Sequence, residues 1–232
     1  MVITDDDLAT VVEAVREGRG IYDNLRKVVD YLVGGNLSEI SVVVGSLILF
    51  PELGIPLLPL QLLWINLLTD GFPALALGID PAAEGLMRRP PRPASQRLLA
   101  ISGLPVLAWR ALLIAGAAIG SLAVTRFAFE ASWGRARTVM FCTLVVTHLL
   151  YAFVVRGGAG GRERPTLRDL GTNPALLVGI GTGLLLQVAI VALPAAREVF
   201  GTTPLPASGW ALVAASAALS LLTMLATAKA HA

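Results

Sequence analysis

Charge is scarce in this 232-residue sequence. Asp, Glu, Lys and Arg make up only 15% of it, where soluble domains carry about 25%. With 55% hydrophobic residues and a mean hydropathy of +0.73, the chain does not read as a water-soluble globule. Cysteine is nearly absent. The single Cys142 sits in an apolar run, which excludes a disulfide framework and a thiolate metal cluster. The formal net charge of +2 is too mild to indicate nucleic acid, and no basic-aromatic patch stands out. The start, Met1 to Asp7, is acidic and lacks the basic-then-apolar pattern of a signal peptide. What is plentiful is long apolar runs, punctuated by 23 Gly and 14 Pro. Membrane helices tolerate such punctuation where neighbours or water satisfy the freed backbone.

A bilayer core about 30 Å thick needs about 20 apolar residues in helix. Six stretches qualify: 28–50, 56–79, 103–127, 138–156, 174–194 and 207–228. The expected fold is all-α, a polytopic membrane protein with six transmembrane helices. Residues 1–27 differ. Thr4 to Asp7 offer caps and first-turn acids, and Leu8, Val11, Val12, Val15 and Ile21 recur at roughly helical spacing. They read as a cytoplasmic stalk helix running into the first span, with an interfacial helix as the alternative. Domain bounds follow: a stalk at 1–27 and a transmembrane module at 28–228. Thirteen Lys and Arg lie on the side of the stalk, the 80–101 and 156–171 loops and Lys229. Only Arg126, Arg135, Arg137 and Arg197 lie opposite, which places both termini in the cytoplasm. Arg110 falls inside the third span near its cytoplasmic end, where it can snorkel. The loop from Asp80 to Pro93 reads as a solvated, headgroup-facing connection.

Ionisable groups at bilayer depth are expensive, a few kcal/mol each. Two acids lie well inside the spans, Glu39 and Asp70, and both have polar company. Asn36 and Glu39 are three apart on one face of the first span; Asn66, Thr69 and Asp70 share a face of the second. Consecutive spans joined by a short link are antiparallel neighbours, so these faces can meet near mid-membrane. Gly34-Gly35 and Gly71-Phe72-Pro73 are expected to loosen the backbone and free carbonyls as further ligands. Carboxylates, amides and a hydroxyl suit hard cations such as Ca²⁺, Na⁺ or K⁺, and disfavour Cu and Zn. Helix-packing glue would not need two carboxyls, so a cation or proton site is the expectation. His148, beside Thr147 and Tyr151, either joins that site or is a core histidine. Gln187, Ser216 and Ser220 read as helix-packing groups, and the four tryptophans as anchors and packing.

The string Gln61 to Gly78, QLLWINLLTDGFPALALG, closely resembles the sixth membrane helix of P-type cation-transporting ATPases of the calcium-pump type. Gly18 to Lys27 resembles the stalk into that family's fifth helix, Asn36 to Glu39 its ligand motif, and Met87 to Arg92 the loop after the sixth helix. Val199 to Leu205 resembles the link between the last two helices, so the resemblance runs along nearly the whole chain.

This resemblance implies that the spans correspond to helices five to ten of such a pump, with Asn36, Glu39, Asn66, Thr69 and Asp70 as metal ligands. It implies ATP-driven cation transport, with Ca²⁺ the expected cargo and Mg-ATP used only through a headpiece. The family's DKTGT, TGES and GDGxND motifs are absent here, as are its first four helices. Phosphoryl transfer needs a nucleophile, Mg²⁺ ligands and a phosphate cradle. This chain alone is therefore not expected to hydrolyse ATP, and the expected partners are the lipid bilayer and a complementary chain carrying the missing parts, without nucleic acid. Met1 to Asp6 resembles the end of the phosphorylation domain. Where the resembled two-site calcium pumps carry a further acid in the eighth helix, this sequence has His148, which leaves one site and the identity of the cation open. The competing readings are a non-enzymatic, free-standing or truncated membrane protein, and an ATP-independent cation or proton transporter. The expected location is a bacterial cell membrane.

Overall fold

The computed structural model describes residues 8–82, 85–90, 103–157 and 171–227, without the side chains of Leu8, Thr69 and Asp70. The capping groups expected at Thr4 to Asp7, much of the basic loops and Lys229 lie outside them. The first element is α1, Leu8–Leu49, a single 42-residue helix. At 1.5 Å per residue it is about 63 Å long, roughly twice a bilayer core. The described part of the stalk and the first span are therefore one unbroken helix. A short 3₁₀ turn, Pro51–Leu53, leads to the second span. That span is composite: α2, Pro59–Ile65; a π-helical turn, Asn66–Asp70; and α3, Gly71–Gly78.

The remaining spans are α4, Leu104–Ala123, extended by a π turn at Val124–Ala128; α5, Trp133–Arg156; α6, Pro174–Ala192; and, after the short α7, Pro194–Phe200, the last span α8, Ala207–Thr227. Among the described residues six helices are long and apolar enough to cross a membrane; their C-terminal ends fall within two residues of the expected bounds, whereas the first begins at Ala9 with the stalk and the fourth five residues early at Trp133. Start signals are local. Ser132 accepts from the Arg135 N–H at 3.4 Å, and Asn173 accepts from Leu176 N–H at 3.0 Å with Pro174 at the first helical position.

Helix α5 is the most buried span and touches α1, α3, α4, α6 and α8. Met140, Phe141, Leu144, Val145, Leu149 and Tyr151 form the middle of the core. Packing among small residues and interhelical hydrogen bonds hold such a bundle, because lipid is as apolar as leucine. Trp64 Nε1 donates to Gln187 Oε1 at 3.0 Å, joining the second span to α6, and Gln187 Nε2 lies 3.4 Å from Cys142 Sγ on α5. The packing roles of Trp64 and Gln187 follow directly. Arg110 is buried among the helices, near Asp30 of α1 and Tyr151 of α5.

Candidate cation site

The two polar faces meet. Asn66 Nδ2 lies 3.5 Å from Glu39 Oε2, and Nδ2 also donates to the Leu62 carbonyl at 2.9 Å. Glu39 is buried, only 6% exposed, whereas Asn36 and Asn66 are exposed. Asn36, Glu39, Ile40, Val43 and Val44 of α1, with Leu62 and Asn66 of the second span, line an open cleft of about 430 Å³. A carboxylate and two carboxamides on an otherwise aliphatic wall offer oxygen and no sulfur. The backbone of Thr69 and Asp70 lies in the same π turn as Asn66; their side chains lie outside the described residues.

Backbone loosening is real on one side of the cleft and absent on the other. The π turn at Asn66–Asp70 interrupts the α pattern where the expected ligand residues sit, a device frequent at functional sites. Pro73, two residues into α3, has no N–H for the carbonyl four residues back, that of Thr69. The expectation at Gly34-Gly35 is overturned: α1 passes through both without a break. These glycines instead form a notch. A Cβ on Gly35 would collide with His148 Nε2, and one on Gly34 would stand 2.7 Å from the Tyr151 hydroxyl. His148 is fully buried with a ring centroid 5.1 Å from that of Tyr31, and neither ring nitrogen has a hydrogen-bond partner among the described residues. It fills the notch rather than lining the cleft.

A size conflict of this kind is testable. Gly35→Ala should destabilise the protein by about 1–3 kcal/mol, the usual range for overpacking. The double variant Gly35→Ala/His148→Ala should be more stable than Gly35→Ala alone, because the clash partner is gone. Thermal unfolding of the purified protein checks both, and equal destabilisation of the single and double variants would contradict the notch.

A second buried cluster sits where four span ends converge on the stalk side. The Asp80 carboxylate accepts from Lys27 Nζ at 2.7 Å, Arg156 Nε at 2.7 Å and Asn173 Nδ2 at 2.9 Å. Asn24 Nδ2 donates to the Asp80 backbone carbonyl at 2.6 Å, and Lys27 Nζ also reaches Asn24 Oδ1 at 3.2 Å. Asn173 further donates to the Ala76 carbonyl at 2.9 Å, and Arg156 to the Thr172 hydroxyl. The side chains of Lys27, Asp80 and Arg156 are each at least nine-tenths buried. Asp80 is therefore not part of a solvated loop. The next residues also fold back on the stalk: Arg19 donates to the Leu86 and Arg89 carbonyls at 2.7 and 2.9 Å, and Arg89 pairs with Asp23 at 2.8 Å.

Against this geometry, a family model described as "Cation transporting ATPase, C-terminus" matches residues 54–229. The chain belongs to this family. It is the C-terminal membrane region of a P-type ATPase and an integral membrane protein. It is 33% identical over 220 residues to the "Calcium-transporting ATPase" of Bacillus subtilis, covering 94% of this chain and 24% of that protein. It is 35% identical over 221 residues to the "Probable cation-transporting ATPase F" of Mycobacterium tuberculosis H37Rv, covering 94% and 23%. The "Calcium-transporting ATPase 1" of Lactococcus lactis is 32% identical over 230 residues, covering 97% and 24%. The chain thus spans about a quarter of the length of these relatives.

Within this P-type ATPase region, reading the spans one by one finds Glu39 and Asn66, because their polar neighbours recur at helical spacing. It misses Asp30 and Asp80. Both acids stand at span ends, where a carboxylate normally finds water. The available signal was positional: Lys27, Asp80, Arg156 and Asn173 all flank boundaries on one side of the membrane.

Proposed function

We propose that this chain is the cation-binding transmembrane module of an ATP-driven cation pump, with Ca²⁺ as the transported ion. The observation that carries the reading is Glu39: a buried carboxylate facing Asn66 across a cleft that Asn36 also lines. A carboxylate at that depth is costly unless a cation or proton shares the site. The names of the relatives in Bacillus subtilis and Lactococcus lactis favour Ca²⁺. Thr69 and Asp70 complete the proposed ligand set of Asn36, Glu39, Asn66, Thr69 and Asp70, which a flexible oxygen-loving ion such as Ca²⁺ accommodates.

Each residue has a stated part. Glu39 and Asp70 supply negative charge against a divalent ion. Asn66 contacts Glu39 across the cleft, and its amide oxygen would supply a neutral ligand to the cation. Asn36 supplies a second neutral oxygen. The π turn and Pro73 leave backbone carbonyls near the site without their α-helical donors. ATP hydrolysis belongs to a headpiece and four further helices outside these 232 residues, on a complementary chain or on the same polypeptide. The Lys and Arg distribution favours both termini in the cytoplasm, and the bacterial relatives favour a bacterial cell membrane.

The test is ATP-dependent ⁴⁵Ca²⁺ uptake into inverted membrane vesicles by the intact protein that carries this chain. Asn66→Ala should weaken the Ca²⁺ concentration dependence about five- to tenfold, roughly 1.0–1.4 kcal/mol, and Asn36→Ala by less. Uptake that needs no ATP would move the reading to a passive transporter. Unchanged uptake in both variants would remove these side chains from the site.

A further inference from the structure

We propose that Asp80, Lys27 and Asn24 form a register clamp that fixes how α1 slides against the second span, and so sets the alignment of Glu39 with Asn66. The inference rests on the reading of the cleft as the cation site and adds the positioning residues that act on it from a distance.

The geometry is that of a closed frame. Glu39 lies twelve residues beyond Lys27 on α1, and Asn66 lies fourteen residues before Asp80 on the second span. At 1.5 Å per residue the two arms measure about 18 and 21 Å. The π turn in the second arm gains less height per residue, which narrows the difference. The arms are antiparallel and packed together, with a Cβ on Gly78 meeting Val28 Cγ2 at 4.0 Å. One end of the frame is the contact between Asn66 and Glu39; the other is the Asp80 cluster.

The cluster's bonds divide into two sets. Lys27 and Asn24 tie Asp80 to α1, gripping its carboxylate and its backbone carbonyl. Arg156 and Asn173 tie the same residue to the ends of α5 and α6. Only the first set bears on the alignment of α1 with the second span. The stalk half of α1 is continuous with the half that carries Glu39, so axial movement of the stalk either carries Asp80 with it or breaks the first set. Glu39 and Asn66 then move out of step. The contacts of Arg19 and Arg89 brace the same loop against the stalk one turn further out.

The two sets can be cut separately. Arg156→Met leaves Asp80 paired with Lys27, while Asn24→Ala/Lys27→Met leaves it paired with Arg156, so both variants retain one acid against one base. Cysteines replacing Val43 and Leu62, which line the cleft from opposite helices, report alignment through their rate of joining by a short bifunctional thiol reagent. The measurement is made on the intact protein in lipid nanodiscs, with equilibrium ⁴⁵Ca²⁺ binding followed in the same backgrounds without the added cysteines. Asn24→Ala/Lys27→Met should slow cross-linking at least threefold and weaken Ca²⁺ binding five- to tenfold with the number of sites unchanged. Arg156→Met should lower the unfolding temperature and change both readouts less than twofold. If the double variant does not assemble, Lys27→Met alone should move both readouts in the same direction, by two- to threefold. Unaltered cross-linking in the α1-side variant, or equal effects of the two cuts, overturns the clamp. Altered cross-linking without any Ca²⁺ binding in the parent protein supports the clamp and overturns the functional reading.

Discussion

Asp80→Ala should destabilise the protein by about 3–5 kcal/mol, the largest loss expected from any single substitution on the stalk side of the bundle. The substitution leaves the Lys27 and Arg156 charges, both nine-tenths buried, without the carboxylate each contacts at 2.7 Å. Removing one partner of a buried pair strands an uncompensated charge, and measured losses of that kind fall in this range. Here one acid serves two bases, so the truncation removes the carboxylate from both, leaving Lys27 its bond to Asn24 and Arg156 its bond to Thr172. Asn173 keeps its bond to the Ala76 carbonyl and its helix cap, so the damage should be electrostatic rather than a failure of α6 to start. Two companion variants separate the causes. Asp80→Asn retains the shape and part of the hydrogen bonding and should lose less than the alanine. Asp80→Ala/Lys27→Met should recover part of the loss, since one stranded charge disappears with the lysine. Thermal unfolding in detergent, followed by loss of monodisperse protein, reads all three. Equal stability of Asp80→Ala and the parent would show that the cluster is solvated.

This cluster also shows why some of the architecture was legible in the residues and some was not. Span positions follow from one-dimensional hydropathy: five of the six expected spans lie within about five residues of the helices formed, and the first is the C-terminal half of a helix that also includes the stalk. Asn36, Glu39 and Asn66 are legible for a related reason: helical spacing puts polar groups on one face, and a short hairpin brings two faces together. The role of Asp80 depends on Lys27, Arg156 and Asn173, residues 53 to 93 positions away. No local pattern names such partners, and an acid before a proline at a span end reads as a turn. Gly34-Gly35 failed in the same way. A glycine pair reads as a weak point in a helix, whereas its use here is set by side chains more than 110 residues downstream, His148 and Tyr151. Arg110 likewise has neighbours far along the chain, Asp30 and Tyr151, that its depth in the span does not name. Local chemistry points to the polar residues of the cleft; long-range packing decides what surrounds them.

The second large effect concerns Glu39. It is the buried carboxylate of the cleft, and its Oε2 is the atom that Asn66 approaches. Glu39→Gln keeps the volume and an oxygen, but removes the negative charge. A divalent ion in a low-dielectric site loses far more from that change than from the loss of a neutral ligand, because charge pairs there are screened little. The fold should survive, since a glutamine can still meet Asn66 by hydrogen bonding. Binding should not survive: affinity for Ca²⁺ should fall at least a hundredfold, about 2.7 kcal/mol, against five- to tenfold for Asn66→Ala.

The most direct test of the central claim is therefore equilibrium ⁴⁵Ca²⁺ binding to the intact protein in nanodiscs, without ATP, in the parent and in Glu39→Gln, with folding checked by thermal unfolding in both. The account predicts saturable binding in the parent and none within the accessible range in a folded Glu39→Gln. Saturable binding of unchanged affinity in the folded variant would contradict it.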